Sequence, residues 1–262
     1  MYQKPLSRMA AKLLISHVFL GSLSLFISSA HAQTADLTTK SENFYALSLS
    51  NYKYDEPGYM TLKAQKIGLA YSGTHAFGAA WPNPNQAWFL RTDLSYSSGG
   101  ADYQSPISGN ISNTPSWYLE ARALFGKDIQ MGSYVLAPYV GLGYRHLYSD
   151  IGYQRDSYYT TLPIGVTHKV KLDNLAQLLT TFEYMHLLKG QQKVKLATQN
   201  VSLDQKSGYG IRASMLRRQN QWSFGPTLTY WNFDQSEVGG AIPVFEPKNK
   251  TLEFGIKGAY HF

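Results

Sequence analysis

Cysteine is absent from this 262-residue chain, which excludes disulfides, thiolate metal sites and the lipid-modified N-terminal Cys of a lipoprotein. Charge is sparse as well, at 16% of residues. Of the 24 Lys and Arg, three (Lys4, Arg8, Lys12) sit in the first dozen residues, leaving 21 against 17 Asp and Glu. So mild a basic excess implies no nucleic-acid partner. Long hydrophobic runs are equally scarce. Leu13 to Ser29, broken by His17, is followed by no second run of the roughly 18 residues that a transmembrane helix needs. If the rest of the chain crosses a membrane, it must do so as a closed β-barrel.

The apolar run itself reads as an export signal, with a positive head before it and the small-residue site Ala30-His31-Ala32 after it. Residues 1–32 are therefore expected to be removed, against the weaker alternative of an uncleaved anchor. Residues 33–42 form a polar lead, expected to be a flexible periplasmic start. A domain of alternating strands then fills 43–262.

What is abundant is aromatic side chains, 14% of the chain with 20 tyrosines. A tyrosine-rich soluble sandwich could reach the same totals, so position along the strands has to decide. Extended segments place alternate side chains on opposite faces. In Ala87 to Ser97, Trp88, Leu90, Leu94 and Tyr96 oppose Arg91, Asp93 and Ser95. In Trp117 to Phe125, Trp117, Leu119, Ala121, Ala123 and Phe125 oppose Tyr118, Glu120 and Arg122. In Ser133 to His146, Tyr134, Leu136, Val140, Leu142 and Tyr144 oppose Ala137, Tyr139, Gly141, Gly143 and Arg145. Similar sorting marks 44–54, 60–72, a segment from 176, 209–216 and 221–233, and 158–170 reads as a further strand. The last strand, 251–262, places Leu252, Phe254, Ile256, Gly258, Tyr260 and Phe262 against Glu253, Gly255, Lys257, Ala259 and His261. Each strand thus offers one oily face for lipid and one polar face for a lumen.

The connections follow a rhythm. Residues 98–115, the hairpin 188–206 with its tip at 198–200, and 234–250 read as long loops, and 147–157 as a moderate one. Residues 126–132, 171–175 and 217–220 read as short turns. Two connections break the pattern: the first turn, 55–58, is short, and the second, 75–86, is long. This predicts an all-β fold, a transmembrane antiparallel up-and-down β-barrel of about ten strands, with eight or twelve as alternatives.

The alternation, the export signal and the aromatic end resemble the bacterial outer-membrane β-barrel superfamily. That resemblance implies residence in the outer membrane and contact with its lipid, and it makes Tyr260 and Phe262 the terminal signal read by the barrel-assembly machinery. Ten-stranded omptin-type proteases within it carry acidic pairs and an Asp-x-His element. This sequence has neither Asp-x-Asp nor Asp-x-His. His146, Ser149 and Asp150 are the nearest approach to a nucleophilic set, as for a lipid hydrolase, but His146 and Ser149 point to opposite faces of an extended strand. The other histidines show no metal-ligand spacing, and Gly141-Leu-Gly143 has no helix after it to make a nucleotide loop. No catalytic, cofactor or metal residues are assigned, and an enzyme is not expected.

Three functional classes stay open: a structural or surface-binding, adhesin-like barrel with a largely closed lumen, a narrow porin-like channel for small solutes, and a barrel hydrolase or protease. The first is favoured. Its expected lumen network is Arg91, Asp93, Glu120, Arg122, Arg145, Glu183, Arg212, Glu253 and Lys257, nearly balanced in charge. Its expected surface contact is Ile242, Val244 and Phe245, with an unidentified surface ligand as partner. The alternative for that apolar stretch is that it folds inward over the mouth.

Overall fold

Twelve strands make up the computed structural model, which describes residues 37–77, 87–172, 176–197 and 199–262. In chain order they are β1 (Glu42–Glu56), β2 (Met60–Phe77), β3 (Trp88–Ser105), β4 (Gly109–Lys127), β5 (Ile129–Met131), β6 (Tyr134–Asp150), β7 (Gln154–Lys171), β8 (Ala176–Lys195), β9 (Asn200–Gln205), β10 (Gly208–Gln219), β11 (Trp222–Phe233) and β12 (Asn249–His261). All pairings are antiparallel, and the wall closes because β12 bonds back to β1 with Tyr45 opposite Tyr260. Ten strands form the closed wall. The two extra ones are local: β5 is a stub on β6, and β9 bonds the upper part of β8, whose lower part pairs with β10. Ten is the number the alternation predicts, so eight and twelve drop out.

Alternation sets which face is which. Leu47 is 61% exposed, Ile67 62% and Leu142 58%. Apolar side chains bare to that degree, running as a continuous belt round the wall, are unstable in water and suited to hydrocarbon. Rings bound the belt on both sides. Tyr45, Tyr71, Trp88, Phe125, Trp222, Tyr260 and Phe262 lie toward the end holding both described termini, and Tyr96, Trp117, Tyr158, Tyr184, Tyr209 and Tyr230 lie toward the other, here the loop end. This is the girdle arrangement of a membrane-spanning barrel.

A spanning strand needs about 9–11 residues, yet β4 has 19 and β8 has 20. The excess stands above the belt at the loop end. Residues 98–115, expected to be a loop, are therefore mostly ladder: β3 runs to Ser105, β4 starts at Gly109, and only a tight tip separates them. Residues 147–157 are likewise the arms of β6 and β7, turning at 151–153. Gly- and Ser-rich composition reads as loop, but such arms need no oily face when water bathes their outer side. The turn expected over 217–220 lies at Asn220 and Gln221, because β10 continues to Gln219 and Arg218 faces inward. In the connection 75–86, β2 carries on to Phe77, and 78–86 lie outside the described residues, as do the export signal and the lead up to residue 36. The end of the lead is not free: Leu37 is buried, and Thr39 is bonded to Asp128.

Candidate functional site in the lumen and at its mouth

Inward-facing residues divide the interior into three storeys. At the terminal end, the Asp128 carboxylate accepts from the Thr39 hydroxyl at 2.9 Å and from Lys169 Nζ at 2.9 Å, which pins Thr39, in the described end of the lead, at the floor. Beside it, the Arg218 guanidinium meets Glu42 in two bonds of 2.8 and 2.6 Å, and the buried His261 shares a 2.9 Å hydrogen bond with Ser223.

The middle storey holds the nine residues expected to line the lumen. Six of them form a continuous zigzag of alternating charge. Arg122 bonds Asp93 at 2.6 Å and Glu183 at 2.8 Å; Arg212 bonds Glu183 at 3.1 Å and Glu120 at 2.6 Å; Arg145 bonds Glu120 at 3.2 Å. Arg91 joins at Asp93, 3.3 Å away. The Asp93–Arg122 contact follows from register, the two residues being directly opposite on β3 and β4. Glu120 does not pair with Arg91. Besides Arg122 on its own strand, 3.6 Å away, its partners are Arg145 from the adjacent β6 and Arg212 from β10 across the lumen, the last of which strand order along the chain does not reveal. Glu253 stands apart, accepting from Ser50 at 2.7 Å and Tyr118 at 3.1 Å, and the Lys257 ammonium lies 4.9 Å from the Phe44 ring centroid. Each carboxylate has donors, as buried charge requires. A cavity of about 660 Å³ occupies the floor and middle storeys.

Above it the lumen is filled. Tyr159 stacks on Phe233 at 4.1 Å, Trp231 lies 5.6 Å from Phe233, and Met185 and Leu187 complete the layer. The layer is tight: a Cβ on Gly210 would come within 2.6 Å of the Trp231 ring, so only glycine lets that ring lie flat against the wall. Alongside, Tyr52, Tyr54, Met60, Leu62, Ala64, Ala101, Tyr103 and Ile151 form a second core. Lys66, also missed by the sequence reading, lies buried there, donating to the Ser116 carbonyl at 2.8 Å.

At the mouth the structure assembles a set that the sequence does not disclose. Arg155 Nη2 bonds Glu56 at 2.7 Å and also reaches Glu246, and the Tyr54 hydroxyl lies 2.7 Å from each of those carboxylates. Gln192 donates to the other Glu246 oxygen at 2.5 Å. Glu246 belongs to the segment between β11 and β12, so this cluster fastens that segment over the mouth. Burial raises the Glu246 carboxyl pKa to about 8, opposed by Arg155 and reinforced by Glu56. The cluster was hidden because residue 155 reads as loop and its partners lie 99 and 91 positions away.

The expected surface contact divides accordingly. Ile242 is exposed, Val244 packs against Val194, Val201 and Leu203, and Phe245 meets Tyr59 edge-on at 6.2 Å. The stretch thus lies across the mouth with Val244 packed beneath it and Ile242 and Phe245 exposed, Ile242 the more so. Tyr260 and Phe262 sit in the lower girdle, where the Phe262 ring stacks on Tyr45 at 5.2 Å and the Phe262 backbone exchanges two 2.9 Å bonds with Asn43. His146 faces outward and bonds Asp156 at 2.7 Å, while Ser149 is buried inside the wall, so the two do not meet. His75, His168 and His186 all join outward aromatic contacts.

No family model and no curated protein matches the sequence. Solved structures similar in form include the outer membrane protease OmpT of Escherichia coli (10% identity over 86% of this chain and 98% of that one, TM-score 0.48). The translocator domain of the autotransporter NalP of Neisseria meningitidis is similar at 12% identity over 96% of each chain, TM-score 0.45. Ail, the attachment invasion locus protein of Yersinia pestis, is similar at 12% identity over 86% and 100%, TM-score 0.39. These are likenesses of one barrel to other barrels, and the architecture here stands on its own strand register.

Proposed function

We propose that this chain is a non-enzymatic bacterial outer-membrane barrel, closed to solutes, whose loop end faces the cell exterior and binds a protein surface there. The observation that carries the reading is the filled upper lumen beneath a rim that leaves apolar side chains bare. Ile107 at the β3–β4 tip is 74% exposed, and Val238 and Ile242 in the segment over the mouth are 63% and 59% exposed. They stand well above the belt, so lipid does not cover them, and a partner with an apolar face would.

Cells displaying the parent barrel should adhere to a panel of immobilised extracellular proteins, and cells displaying the triple variant Ile107→Ser, Val238→Ser, Ile242→Ser should lose most of that adherence. Val244 and Phe245 are left intact because both support the fold. Equal adherence by parent and variant would overturn the reading. The cavity of about 660 Å³, lined in part by charged residues such as Arg91, Asp93 and Lys257, keeps a narrow channel as the second reading. A channel requires the Tyr159, Trp231 and Phe233 layer to part.

A further inference from the structure

On the outside of the wall, where β4, β6, β7 and β8 leave the belt at the loop end, the residues are not those of an ordinary girdle. Register places Trp117 beside Tyr148, Tyr148 beside Asp156, and Asp156 beside Lys193. The next row down sets His146 beside Tyr158 and Tyr158 beside Gln191. The rings form one connected surface. Trp117 and Tyr148 stack at 5.2 Å with 13° between planes, His146 and Tyr158 stack at 4.5 Å with 20°, and Trp117 meets His146 edge-on at 4.8 Å. Asp156 fixes the imidazole at 2.7 Å, and the Lys193 ammonium lies 5.3 Å from the Tyr158 centroid.

A bulge adds to this surface. Thr160 pairs with Lys189 but Thr161 pairs with Leu187, so β8 carries one extra residue at the belt's edge. Leu188 and Lys189 consequently both lie exposed, an apolar side chain at the rim of the belt and a cation directly after it. Bulges re-aim side chains in this way. Lys193 and Lys195 continue the cationic line away from the membrane.

We propose that this sector binds the headgroup of a phosphorylated glycolipid of the surrounding leaflet. Flat, stacked rings at the lipid–water boundary suit the faces of sugars, and ammonium groups at their edge suit phosphate. Leu188 and the belt below it receive the acyl chains. The chain holds its own control: Lys53 and Lys63 face each other on β1 and β2, both exposed, with no ring contact between or beside them in their register row of Leu252 and Asp102. That pair offers charge without a sugar platform.

The inference rests on the outer-membrane reading, and the test separates the two. Cell fractionation reports location. Binding is measured on refolded barrel in neutral detergent, by the shift in unfolding temperature when purified lipopolysaccharide, phosphatidylglycerol or an unphosphorylated alkyl glycoside is added. Lipopolysaccharide should stabilise the parent, and the other two should do so far less. The double variant Lys189→Gln, Lys193→Gln should weaken the apparent affinity about tenfold or more, Trp117→Leu should weaken it separately, and Lys53→Gln, Lys63→Gln should leave it near the parent value. The variants count only with heat-modifiable migration retained. If Trp117→Leu does not fold, Tyr148→Leu takes its place. An equal response to phosphatidylglycerol, or equal losses from the two lysine pairs, would reduce the sector to nonspecific charge and overturn the proposal. No stabilisation by lipopolysaccharide would overturn it outright.

Discussion

Glu183 shows how much the interior depends on single charges. Its fully buried carboxylate receives Arg122, Arg212 and the Tyr139 hydroxyl. Glu183→Ala leaves Arg122 only Asp93 and Glu120 and leaves Arg212 only Glu120, an excess of buried positive charge, and breaking such a buried pair costs about 3–5 kcal/mol. Urea unfolding of the refolded barrel should register a loss of that size, whereas Ser48→Ala, away from the zigzag, should change little. Glu246 titrates in the opposite sense to a salt-bridged acid. Its folded pKa of about 8 lies above the ordinary 4.5, so the folded state holds a proton that the unfolded chain releases. The contribution is fully present below about pH 4.5 and is lost as pH rises through about 8. With no native cysteine, a spin label at Val238→Cys reports on this segment alone. It should become more mobile between pH 6 and 9, and Glu246→Gln, which mimics the protonated acid, should flatten that change; an unaltered pH response in the Gln variant would assign the titration elsewhere.

The β10–β11 hairpin turns on one residue in a conformation that side chains usually avoid. Asn220 sits at φ 54°, where a short amide is tolerated and a branched chain is not. Asn220→Gly should preserve the unfolding temperature, and Asn220→Val should cost about 1–2 kcal/mol. Such elements also show what the sequence discloses. Within the belt, alternation is forced by lipid on one side and water or charge on the other, so the facing of Trp88 or Arg91 can be read residue by residue. Above the belt water wets the outer face, the selective pressure for an oily side disappears, and the arms of β3, β4, β6 and β7 pass for loops. Arg155 was lost with those arms, and Glu56, the last residue of β1, with the turn expected over 55–58. Register across the closed wall, which brings Arg212 to Glu120, leaves no trace in local pattern at all.

Taken as one object, the barrel holds its cavity below and is packed above. Planar-bilayer recordings on refolded protein should show no steady, well-resolved conductance at low voltage. A stable ion-selective current would favour the channel reading and would show that the aromatic layer parts. Protease applied to intact cells should cut at the tips near 106–108, 151–153 and 234–248, leaving the turn at Asn220 and Gln221 untouched; cleavage confined to that turn would invert the orientation.

Closure of the wall through β1 and β12 has a kinetic consequence. The partners Tyr45 and Tyr260 are separated by nearly the whole folded chain, so the pairing that removes the last free edge is also among the most non-local, and such contacts form slowly. Until it forms, both strands present unpaired backbone to any neighbouring chain, a template for aggregation. Phe262 supplies the final pair of backbone bonds to Asn43 and a ring against Tyr45. Removing Phe262 should therefore slow the appearance of the heat-modifiable form and raise the aggregated fraction more than it lowers the stability of those molecules that do close. A chain built this way has to be kept from its own kind for as long as its two ends are apart.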